Sequence, residues 1–129
     1  MRNNNKLKQL NLNPLSVAKY FYTKGIEINS IIQDLLYLSY QEILKKENLL
    51  LFKEEFMVGV ASPVLFSLTN LIKKHGDHLD DFFSQFPDLT DYRVLPHLEK
   101  FAKKHANSFG FEIQYQAQKV YGKKEFAVI

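Results

Sequence analysis

The stretch from Ser30 to Glu47 most constrains what this chain can become. Ile31, Ile32, Leu35, Leu36, Leu38, Tyr40, Ile43 and Leu44 cover most of a helical circumference, leaving Ser30, Asp34, Gln41 and Lys45 as a narrow polar stripe. A helix that is apolar nearly all round holds in water only when other elements surround it. The segment is therefore expected to be the central helix of a shell. With 129 residues, 46% of them hydrophobic, the chain has the material for one such domain without staples.

The shell can be read from proline openings and glycine closings. Asn13-Pro14 is a helix-start pattern, and Leu15, Val17, Ala18, Phe21 and Tyr22 then follow on one stripe to Lys24, before Gly25. Ser62-Pro63 repeats the opening, with Val64, Leu65, Leu68, Leu71, Ile72 and His75 on one face before Gly76. Asp77 is placed to cap a short helix holding Leu79, Phe82 and Phe83, which Pro87 ends. Leu95, Leu98, Ala102, His105 and Phe109 mark a helix over about 91–109, with Pro96 near its first turn. Two stretches stay open. Residues 49–60 fit a short helix or an irregular buried segment. Residues 111–118 alternate like a strand but favour helix by composition, and helix is preferred. The expectation is an all-α fold, a compact array of five or six helices over 13–129, with a flexible start over 1–12 and no room for a sheet.

Composition excludes several functions. There is no cysteine, so disulfides, thiolate catalysis and cysteine-ligated zinc are ruled out, and a cytoplasmic address is expected. The first thirteen residues lack an apolar secretory core, and no apolar run approaches a membrane span. Abundant Lys, Asn, Ile and Phe, with no Trp, resemble the usage of AT-rich bacterial genomes. The net charge of +3 hides a pattern: residues 1–24 are basic without an acid, 77–91 acidic without a base, and 93–124 mostly basic. Such a chain can pair its own segments or those of a twin subunit, which weakens the nucleic-acid reading that a high pI invites.

The search for chemistry returns little. No phosphate loop, H-E-x-x-H, nucleophile elbow or dinucleotide fingerprint is present. His75, Asp77 and His78 form the one cluster with metal-ligand chemistry, yet each also has a structural reading, as the end of an apolar face or as a cap. No metal or cofactor is expected. Phe82, Phe83 and Phe86 lie among five aspartates, a composition that suits docking on a basic partner surface; two of the rings could equally enter the core. Lys100, Lys103 and Lys104 share a helix side and are read as a solvated face.

Val17-Ala18-Lys19-Tyr20, Ile32-Gln33-Asp34-Leu35-Leu36-Tyr37-Leu38-Ser39, Leu50-Leu51-Phe52 and Gly59-Val60-Ala61-Ser62-Pro63-Val64-Leu65-Phe66 follow one another in a recognisable order. Over residues 16–76 this order distantly resembles the Panacea domain, also called SocA-like or GepA-like. Asp34 stands where that pattern carries Lys, and three residues separate Gly59 from Pro63. In length and composition the whole chain also resembles an uncharacterised, all-helical mycoplasma family. Panacea members act as antitoxins or proteolytic adaptors by binding a protein. The resemblance thus implies a binding module, with Gln33, Tyr37 and Pro63 as candidate positions.

The resulting expectation is a non-enzymatic, antitoxin-like protein-binding module that forms a homodimer. A metal-dependent enzyme built on His75, Asp77 and His78 is the rival from another class, and weak nucleic-acid binding ranks third.

Overall fold

The computed structural model describes residues 7–57, 63–75, 79–106, 113 and 115–119. It is a compact helical array, as expected: α1 (Pro14–Thr23), α2 (Asn29–Glu47), α3 (Phe66–His75), α4 (Leu79–Phe83) and α5 (Leu95–Ala106). Ile113 and residues 115–119 are helical too, where the sequence left strand and helix open. No helix among the described residues is long and apolar enough to cross a membrane.

Local chemistry sets α1. The Asn13 side chain accepts from the Leu15 N–H at 2.9 Å, and Pro14 takes the first helical position, where its missing N–H costs nothing. At the other end Gly25 has φ +91°. The Gly25 N–H donates to Tyr22 O, and the Ile26 N–H donates back to Phe21 O. That pair of bonds is a Schellman closure, and buried Ile26 is its apolar contact. The central helix α2 ends without glycine, because Asn48 itself takes the left-handed conformation at φ 59°.

The core gathers round α2, which touches α1, α5 and the segment after it. Leu35, Leu36 and Ile43 are fully enclosed with Val17, Phe21, Leu51, Leu65, Leu68 and Leu98. Burial goes further than periodicity implied. Asp34 and Gln41, assigned to the polar stripe, are each only 3% exposed.

Two features correct the sequence reading. Lys8–Gln9 (β1) and Leu49–Leu50 (β2) form a small parallel pair, and the Leu10 and Leu12 amides continue it onto Leu50 O and Leu51 O. Residues 8–12 therefore run along the chain that follows α2, where no sheet was expected. The second correction is that α3 does not begin at Pro63. Residues 63–65 stay extended and the helix opens at Phe66, because Val64 and Leu65 have hydrogen-bond partners outside any helix.

Candidate protein-binding face

Those partners build the site. Met57 and Val64 form an antiparallel bridge, each N–H donating to the other's carbonyl at 2.7 and 2.9 Å. Leu65 points its backbone the opposite way, into the side chain of Gln33. The Leu65 N–H donates to Gln33 Oε1 at 2.8 Å, and Gln33 Nε2 donates back to Leu65 O at 3.2 Å and to Thr69 Oγ1 at 3.0 Å. One buried amide thus acts as a strand edge and holds Leu65 extended just before the helix opens. Glu54 Oε2 accepts from the Ser67 N–H at 2.9 Å and caps the new helix start.

An extended backbone sends alternate side chains to opposite faces. Phe56, Pro63 and Leu65 go inward and are buried. Phe56 is clamped edge-on by Tyr37 and Tyr40, with ring centroids 5.2 and 5.4 Å away. Met57, Val64 and Phe66 go outward. Met57 is 52% and Phe66 59% exposed, while Val64 is half-buried between them. These are three neighbouring apolar side chains on a pinned backbone. Covering what remains open of Met57 and Phe66 is worth on the order of 1–3 kcal/mol together.

The resemblance-implied positions converge beneath this face. Gln33 holds its backbone, Tyr37 packs its inner ring, and Pro63 is part of its buried side. All three are too enclosed to meet a partner directly. The outward residues Met57, Val64 and Phe66 escaped sequence reasoning. Their signal was the alternation over 63–66, hidden inside a run that also fits a helix.

The acidic aromatic segment divides. Phe83 is buried against Tyr22, while Phe82 and Phe86 are half-buried, their rings tilted together with centroids 5.0 Å apart. Lys19 straps this segment down, donating to Phe86 O at 2.6 Å and pairing with Asp88 at 2.8 Å. Asp80 accepts from the Tyr22 hydroxyl, and that bond, with burial adding to it, pushes the phenol up to about 12. The His75 ring lies 4.5 Å from that of Phe82. Asp77, His78 and the side chain of His105 lie outside the described residues. Among the described residues no group of three or more histidines and acids is placed to hold a metal ion.

One charged cluster was not foreseen. His97 on α5 reaches Glu42 Oε2 through Nδ1 at 2.9 Å and Glu47 Oε2 through Nε2 at 2.8 Å. Lys100 donates to Glu42 Oε1 at 2.7 Å. Burial raises the Glu42 carboxyl, but hydrogen bonds from Lys100 and His97 outweigh it and hold the group below its usual range. Both nitrogens of His97 are taken up by carboxylates, so neither is open to a substrate. The cluster ties α5 to α2. An open cleft of about 580 Å³ lies between residues 11–16 and 87–93. Its charged lining is largely engaged, since Asp91 is paired with Arg93 and Asp88 with Lys19. No protein-family model, curated protein or solved structure matches this chain.

Proposed function

We propose that this chain is a protein-binding module working by contact rather than by catalysis, with Met57, Val64 and Phe66 as its binding face. The observation that carries the reading is a rigid apolar surface. Two side chains, buried Gln33 and half-buried Glu54, hold the backbone so that Met57 and Phe66 stand in solvent. Methionine and aromatic side chains on a fixed support are the composition of an interface centre. A pinned backbone also lowers the ordering cost of association. The antitoxin-like form of this role is supported by the likeness of residues 16–76 to the Panacea domain, whose shared positions lie under the same face.

The test is affinity capture from the native host with the wild-type chain and with Met57→Glu/Phe66→Glu, both checked for unchanged helical content. A partner retained at near-stoichiometric amount by the wild type and lost by the double variant supports the reading. Equal capture by both proteins refutes it.

A further inference from the structure

We propose that a cavity between α1 and the start of α5 binds a small organic monocarboxylate, seated on Lys19 in place of Asp88. The open cleft at residues 11–16 shares Ser16, Asp88 and Leu89 with this second cavity, of about 400 Å³. Lys19, Tyr20 and Thr23 of α1, Lys24 just after it and Leu95 of α5 complete the lining. The volume suits a small ligand.

Among the described residues the lining carries two cations, Lys19 and Lys24, against one acid, Asp88. Glu99 of α5, whose charge reaches Tyr20, lies outside the lining and is paired with Lys103 at 3.4 Å. The pairing of Lys19 is unequal. Its side chain is enclosed, at 14% exposure, whereas that of Asp88 is 83% exposed. An enclosed cation needs a partner of opposite sign, yet a pair with so exposed a carboxylate is weak and exchangeable. An ammonium also carries three donors. Lys19 gives one to Phe86 O and one to Asp88, and the third has no partner among the described residues. Lys24 folds back until its ammonium stands 5.2 Å from the centre of the Tyr20 ring, on the wall of the same cavity. Ser16, common to both linings, keeps an enclosed hydroxyl without a partner among the described residues. Asp88 thus shows which group the site accepts, while bringing no apolar body with it. A monocarboxylate with a short apolar body adds contact with half-buried Tyr20, Leu89 and Leu95. One enclosed cation also matches a single negative charge better than the two of a phosphate.

The test is a titration of the full chain with phenylacetate, followed by amide NMR shifts, with phenylacetamide and inorganic phosphate as comparisons. Phenylacetate should shift the Lys19, Tyr20 and Leu89 amides saturably, and neither comparison should. Asp88→Asn removes the internal competitor and should bind about two- to fivefold more tightly. Lys19→Met should bind at least about tenfold more weakly. Lys24→Gln alters an exposed side chain, so it should fold normally and bind more weakly, which keeps the test decisive if Lys19→Met unfolds. The proposal is overturned by an absence of saturable shifts in both the wild type and Asp88→Asn. It is equally overturned if phenylacetamide or phosphate binds as well, or if Asp88→Asn binds no more tightly than the wild type. Met57 and Phe66 lie outside this lining, so either outcome leaves the protein-binding face to its own test.

Discussion

Two glutamines on the same helix should respond to one substitution with opposite signs. Gln33 and Gln41 are both buried on α2, at 5% and 3% exposure. The Gln33 amide makes three hydrogen bonds, whereas neither Nε2 nor Oε1 of Gln41 has a partner among the described residues. Methionine keeps the unbranched shape of glutamine and removes the amide. At Gln33 the loss falls mainly on the Leu65 N–H. Leu65 O keeps the Thr69 amide and hydroxyl as donors, but the N–H donates only to Gln33. An orphaned buried donor costs about 1–3 kcal/mol, and the remaining bond energy adds about 1. Gln33→Met should therefore destabilise by about 2–4 kcal/mol. At Gln41 there is no bond to lose, and the change removes two desolvated polar atoms. Gln41→Met should stabilise by about 1–3 kcal/mol. For a domain of this size each kcal/mol moves Tm by roughly 3–5 °C. Calorimetry on the three proteins should thus place Gln33→Met well below the wild type and Gln41→Met above it. Hydrogen exchange adds a local readout, since the Leu65 amide should lose protection first in Gln33→Met. Equal shifts of the same sign, or a loss above about 1 kcal/mol for Gln41→Met, would refute the reasoning.

Further outcomes follow from single sites. Gly25→Ala should cost about 1 kcal/mol in urea unfolding. No atom lies within 4 Å of an added Cβ, so the loss comes from the φ of +91° alone. A null effect would show that the Schellman closure relaxes freely. Glu42 has a folded-state pKa below its ordinary value, so its ion cluster contributes stability that is complete above that ordinary value and is lost as pH falls through the folded one. Tm of the wild type should therefore fall across the acid range below about pH 4.5 more steeply than that of Glu42→Gln, and parallel curves would contradict this.

Much of the fold was legible locally. The span of α2, the Asn13-Pro14 opening of α1, its Gly25 closure and Pro96 in the first turn of α5 are decisions among residues within four or five positions. The face was not legible, because each of its determinants arrives from elsewhere. The Ser62-Pro63 pattern is a sound local helix start, yet residues 63–65 are claimed by Met57 and by Gln33, thirty-two positions away from Leu65. The ion cluster was equally hidden, since His97 meets its two glutamates across fifty or more positions.

The sequence by itself determined that helices form and that α2 lies at their centre. Apolar spacing and capping chemistry are short-range, and they act before any packing exists. Only the tertiary structure decided where α3 begins, which polar side chains are enclosed, and which apolar ones remain outside. Those outcomes depend on which distant group reaches a given N–H or C=O first, and periodicity carries no record of that. Gln33 and Gln41 look alike in the chain; one found a backbone to hold and the other did not.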